Sequence, residues 1–128
     1  MGTRYLIDTN IAIYFLNGQL SANALAFVLP IIQQECNLSV ISKIELLGWQ
    51  PANVADEILI QNFVNASNIM PLSEEVIEKT IELRKLYKIK LPDALIAATA
   101  IIYDLTLLSR NDKDFERIVG LSYLNPFT

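Results

Sequence analysis

Tyr5-Leu6-Ile7-Asp8-Thr9-Asn10 is the stretch whose reading decides the fold. Three apolar residues stop abruptly at three side chains able to cap exposed backbone N–H groups. That reads as a short buried strand passing directly into a helix. The helix from Ile11 to about Leu16 stops at Asn17-Gly18, a good C-terminal signal. The same alternation recurs down the chain. Helical spacing fills about 20–34, interrupted or kinked at Pro30. A second strand is expected over Leu38–Ile41, with Ser42 capping a helix to about Leu47, and a further helix covers about 52–66 with Val54, Ile58 and Phe63 facing inward. A third short strand spans about 68–72. Ser73-Glu74-Glu75 opens a helix with acids in its first turn and Arg84, Lys85 and Lys88 in its last, as the helix dipole favours. Its apolar positions Val76, Ile77, Ile81, Leu83 and Tyr87 follow helical spacing. Pro92 suits the first position of a helix running from Asp93 to about Tyr103, apolar nearly all round and therefore buried. A strand over 105–108, a short helix over 111–118 and a strand over 121–124 complete the order. Short apolar strands alternating with helices predict an α/β fold: one domain over residues 1–128, a central parallel sheet of about five short strands, and helices on both faces.

Composition narrows the chemistry. The 128 residues fit one compact domain, and the 52 % apolar content leaves apolar surface for a partner beyond what a core needs. No stretch approaches the roughly 18 apolar residues of a membrane span, and the start reads as a strand rather than a signal peptide. The single Cys36 excludes an intrachain disulfide and suits a reducing, cytoplasmic setting. With no histidine, serine–histidine hydrolysis, cysteine–histidine proteolysis and histidine-bound zinc are excluded, which leaves carboxylates as the tools. A net charge of −4 is unusual for a nucleic-acid binder, yet Arg84, Lys85, Lys88 and Lys90 gather just before Asp93 and could guide a phosphate backbone.

The acids fall in a pattern. Ligands of such a sheet bind outside the carboxyl ends of its strands. Asp8 follows strand one, Glu45 lies one turn into the helix after strand two, and Asn111, Asp112 and Asp114 follow strand four. Asp93 reaches the same edge if its helix runs antiparallel to strand four. Carboxylates gathered there repel one another unless a cation neutralises them, and Mg²⁺ or Mn²⁺ prefers such oxygen ligands. The chemistry most in need of this arrangement is phosphodiester hydrolysis. Each residue also has a structural explanation. Asp8 could cap its helix, Glu45 and Asp112 could be solvated, Asp93 could sit at a helix N-terminus, and Asn111 with Asp114 could form a capping box.

Four segments, Leu6-Ile7-Asp8-Thr9-Asn10, Ser42-Lys43-Ile44-Glu45-Leu46, Leu91-Pro92-Asp93-Ala94-Leu95-Ile96-Ala97-Ala98-Thr99-Ala100 and Leu107-Leu108-Ser109-Arg110-Asn111-Asp112-Lys113-Asp114-Phe115, stand in an order and spacing that resembles a PIN-domain ribonuclease of the VapC toxin type. The resemblance implies that Asp8, Glu45 and Asp93 bind the divalent metal, with Thr9, Asn10 and Ser109 in support. It also implies cleavage of RNA, a homodimer and a small VapB-type antitoxin, part of a type II toxin–antitoxin pair. Many members of the family that the chain resembles carry a fourth acid after strand four, in a pattern like T-x-D-x-D-F. Here alignment on Ser109 offers Asn111 for that place, and alignment on Asp114-Phe115 offers Asp112. Two other readings compete: a PIN-like binding scaffold with a metal site too poor to cut, and an Asp-based phosphotransfer domain of the receiver or haloacid-dehalogenase kind. Partner-binding candidates are Ile11, Ile13, Tyr14, Phe15 and Leu16 in the first helix, and Leu59, Ile60, Phe63 and Val64 in the fourth.

Overall fold

The computed structural model describes residues 2–128, so the expected strand-like start falls partly on Met1, outside the described residues. The order is β1 (Tyr5–Ile7), α1 (Thr9–Leu16), α2 (Ala22–Gln34), β2 (Asn37–Ser39), α3 (Val40–Leu47), α4 (Val54–Asn65), β3 (Asn68–Met70), α5 (Glu74–Leu86), α6 (Leu91–Ile102), β4 (Thr106–Leu108), α7 (Asp112–Phe115) and β5 (Tyr123–Leu124). All strand pairing is parallel. One ladder has the order β1-β4-β5 and the other pairs β2 with β3.

The two ladders meet along β1 and β2, where Asn37 joins them. Its fully buried side chain donates to the Tyr5 carbonyl at 2.9 Å and to Glu35 at 2.8 Å, and accepts from Asn68 at 3.2 Å. A buried amide is tolerated because its bonding capacity is used. The spatial order is therefore β3-β2-β1-β4-β5, with the chain reversing direction across the sheet between β1 and β4.

Successive residues of a strand face opposite sides, and here each side is a core. Leu6 and Leu107 pack with Val76, Leu83, Ile96 and Phe115 of α5, α6 and α7. Ile7, Leu38 and Leu108 pack with Ile11, Val28, Leu46 and Ile60 of α1, α2, α3 and α4. The helices thus cover both faces, as the strand pattern predicts.

Several local expectations are corrected. The second strand ends at Ser39, whose Oγ accepts from the Ser42 N–H at 3.0 Å; Ser39 is the cap, and Ser42 is buried inside α3. Either serine could cap, and the β-branched Val40-Ile41 between them made strand the local preference. Helix α2 is not interrupted at Pro30 but runs through it to Gln34. Pro92 stands second in α6, behind Leu91. Val54 and Ile58 are exposed, and α4 turns Ile60 and Val64 inward instead. Ile77 and Ile81 are likewise exposed while Val76, Thr80 and Leu83 form the inner face of α5. Both helices carry apolar residues on more than one face, so periodicity alone mixes exposed positions with Phe63, Val76 and Leu83, which do pack on the core. Of the partner-binding candidates, Ile11, Ile60 and Val64 belong to the core.

Asn37→Leu leaves the Tyr5 carbonyl and the Asn68 amide without their buried partner. It should destabilise the fold by about 1–3 kcal/mol, read as a lower urea midpoint. Val54→Ser, at a solvent-facing position, should change stability by no more than about 0.5 kcal/mol.

Candidate functional site

The point where strand order reverses, between β1 and β4, is where an open α/β sheet leaves a crevice for a ligand. Asp8 and Ser109 occupy it. The Asp8 N–H continues the ladder to the Leu108 carbonyl at 3.0 Å, so the side chain is placed by the sheet itself. Its Oδ1 accepts from the Thr9 N–H at 2.8 Å, and its Oδ2 accepts from Ser109 Oγ at 2.6 Å. Asp8 does cap α1, but it is only 4 % exposed, far more buried than a cap requires. Burial pushes its carboxyl up to about 6, against the hydrogen bonds from Ser109 and Thr9; Asp93 and Glu45 add to the rise.

Glu45 comes from the second turn of α3. Thr9 Oγ1 donates to its Oε1 at 2.6 Å and lies 2.8 Å from Ser42 Oγ, which in turn accepts from Ser39 Oγ at 3.3 Å. Each hydroxyl has one proton, so Ser39, Ser42 and Thr9 form a one-way chain of donors ending on the Glu45 carboxylate. Asp93 stands in the first turn of α6, near enough to Asp8 and Glu45 for their charges to act on one another. Burial raises its carboxyl, followed by the charges of Asp114 and Glu45; Lys90 opposes, and hydrogen bonding with Asp114 adds the smallest rise.

The segment after β4 separates its three candidates. Asn111 caps α7: its Oδ1 accepts from the Asp114 N–H at 3.4 Å, and its Nδ2 donates to Asp114 Oδ2 at 2.9 Å. Its own N–H goes to Ser109 Oγ at 3.0 Å rather than to Asp114, so the box is only half of the expected kind. Asp112 turns to β5, accepting from Tyr123 Oη at 2.5 Å and from Asn125 Nδ2 at 3.2 Å. Asp114 is the acid facing Asp93. Asn10 donates to Ser109 Oγ at 3.3 Å and accepts from the Arg110 N–H at 3.4 Å, bracing the same loop.

Ser39, Tyr123 and Asn125 are not among the residues that the sequence singles out, and Ser42 stands there only as a helix cap within the Glu45 segment. Ser42 had a signal, since three residues before Glu45 it shares that residue's helix face. Tyr123 and Asn125 had none short of knowing that β5 lies beside β4. Cys36 is buried and accepts from Ser67 at 3.3 Å; burial pushes its thiol up, away from nucleophilic character.

The donor chemistry suits a hard divalent cation: the groups are carboxylates and hydroxyls, and among the described residues no Lys or Arg forms an ion pair with Asp8, Glu45 or Asp93. Among those residues, however, no three acidic side chains converge as a finished cage. Mg²⁺ is suited to such a site, since it touches one or two carboxylates and reaches others through its waters.

In chelator, the raised Asp8 carboxyl makes a signed prediction. Below about pH 4 the group is protonated in folded and unfolded chains alike; between about pH 4 and 6 only the folded chain keeps the proton; above about 6 the fold carries a buried charge. Asp8→Asn should therefore melt higher than wild type at pH 7.5, by about 1–3 kcal/mol, and the advantage should vanish below about pH 4. Melting curves across that range measure it.

Comparison with known proteins accords with this geometry. Ribonuclease VapC1 of Rickettsia felis is 31 % identical over 129 residues, covering 93 % of each chain. A toxin–antitoxin complex from Klebsiella pneumoniae contains a chain 31 % identical, with a TM-score of 0.75 and coverage of 95 % of this chain and 97 % of that one. VapBC2 from Rickettsia felis, bound to a DNA fragment from their promoter, matches at 26 % identity and a TM-score of 0.79, covering 96 % and 98 %. The family model described as PIN domain matches residues 5–121, from the first residue of β1 past the end of α7, and the chain belongs to that family.

Proposed function

We propose that this protein is a metal-dependent endoribonuclease, the toxin of a VapBC-type pair, with Asp8, Glu45 and Asp93 holding Mg²⁺ or Mn²⁺ and Asp114 completing the acidic cluster. The observation that carries the reading is Asp8: a nearly buried carboxylate at the strand-order reversal, close to two other acids and with no ion-pairing cation among the described residues. The ribonuclease name of the Rickettsia felis relative supports the reaction, and the Klebsiella pneumoniae complex supports an antitoxin partner.

The reaction adds water across a P–O bond of RNA: hydroxyl goes to phosphorus and a proton to the leaving oxygen. A divalent cation bound at the carboxylates supplies positive charge for the phosphoryl oxygens and lowers the pKa of nearby water. The chain's own part is positioning. Ser109 and the Thr9 N–H hold both Asp8 oxygens, the hydroxyl chain fixes Glu45, and Asn111 steadies Asp114 against Asp93. Such supporting hydrogen bonds fix the direction from which a carboxylate presents its free lone pairs.

Exposed apolar side chains, among them Ile58 and Leu59 of α4, offer surface for the antitoxin or for a second copy in a homodimer. No helix among the described residues is long and apolar enough to cross a membrane, and a cytoplasmic site of action fits the buried free thiol of Cys36. The lack of a finished cage favours one competing reading, a PIN-like scaffold that binds without cutting.

The test is Mn²⁺-dependent cleavage of a mixed single-stranded RNA pool by protein stripped of any partner. Wild type should cut, while chelator and Asp93→Asn should each abolish cutting. Ser109→Ala, which removes the hydrogen bond to Asp8 and the acceptor of the Asn10 amide and the Asn111 N–H, should cost about 10- to 100-fold. No cleavage by folded, metal-loaded wild type would favour the scaffold.

A further inference from the structure

A cleft of roughly 860 Å³ opens beside the acidic cluster, lined by Arg84, Lys88, Ile89, Lys90, Lys113, Asp114 and Arg117. Its five cationic side chains are half of the chain's ten Lys and Arg, gathered in one place on a protein of net charge −4. They come from three parts of the chain: Arg84 from α5, Lys88 and Lys90 from the turn before α6, and Lys113 and Arg117 from α7 and its end.

Two of them are fixed by backbone. Arg84 donates to the Ile89 carbonyl at 3.0 Å, and Arg117 donates to the Lys88 carbonyl at 2.8 Å and lies over the Tyr87 ring, 5.6 Å from its centroid. Their charges are left largely uncompensated. The one ion pair in the cleft is the long Arg117–Asp114 contact at 3.9 Å, and Arg84, Lys88, Lys90 and Lys113 have none among the described residues. Cations held this close repel one another, so the arrangement favours an anion that spans them.

We propose that this cleft binds the sugar-phosphate backbone of single-stranded RNA on one side of the bond being cut. The inference rests on the nuclease reading. A strand with one phosphate at Asp8 and Asp93 must run its neighbouring phosphates over an otherwise acidic protein. Asp114 both faces Asp93 and lines the cleft, and Lys90 acts on Asp93 directly, so the positive surface begins where the acidic cluster ends. Phosphates repeat along a strand, which matches cations spread along a cleft better than a single ionised group does.

Binding of a fluorescent single-stranded RNA, measured in chelator so that nothing is cut, tests the site apart from catalysis. Lys88→Ala with Lys113→Ala removes two charges that hold no ion pair. Affinity at low salt should fall roughly tenfold, and the slope of log K against log salt should flatten by about 1.4, near 0.7 for each lost phosphate contact. Lys79→Ala, which removes a cation elsewhere on α5, should leave both unchanged. Loss of cleavage by wild type with this binding pattern intact would sink the nuclease reading and leave the cleft standing. An unmoved slope in the double variant would overturn the cleft as an RNA site and point to an acidic protein segment. An equal loss with Lys79→Ala would overturn it too, since net charge alone would then set the affinity.

Discussion

Burial of the Asp8 carboxylate is the constraint on which the rest of the site depends. Taking an ionised group out of water is costly unless it is hydrogen-bonded and, in the end, neutralised. The fold meets the first condition with Ser109 Oγ and the Thr9 N–H. It leaves the second unmet, since the nearest charges are those of Glu45 and Asp93 and push the carboxyl further up. A protein selected only for stability would place Asn or Ser here. The carboxylate is accounted for by the proposed function, in which a cation completes the site.

The topology brings its partners to it. Because β1 and β4 are neighbours and parallel, residues just past their ends, Asp8 and Ser109, meet although a hundred residues separate them. Helix α3 follows β2 at once, so Ser42 and Glu45 face Thr9 across the adjoining strand end. The α5–α6 turn carries Asp93 to the same edge, and its cations with it. The two cores, one on each face, hold these elements rigidly enough for short hydrogen bonds to set side-chain direction.

Much of this was legible in sequence, for definite reasons. An apolar triplet that ends in Asp8-Thr9-Asn10 has few readings besides a buried strand and a helix start. An acid in the nearly all-apolar Leu91–Ala100 segment needs a partner wherever it points. What stayed hidden depended on neighbours across the sheet. Asp112 stood as a candidate for the fourth acid until β5 placed Tyr123 and Asn125 against it, leaving Asp114 to face Asp93. Ser42 read as a cap because nothing local distinguishes it from Ser39. Val54 and Ile58 read as core because α4 carries apolar residues on more faces than one. Cations at 84–90 were visible as a cluster, but Lys113 and Arg117 join them only through the packing of α7 against the α5–α6 turn.

Mn²⁺ binding, followed by calorimetry on partner-free protein at pH 7.5, bears most directly on the claim that the acidic cluster is a cation site. Wild type should bind with saturable heat, and Asp8→Asn should lose that binding while keeping a cooperative melt. Equal Mn²⁺ affinity in wild type and Asp8→Asn would contradict it, because the buried carboxylate would then have no part in holding the ion.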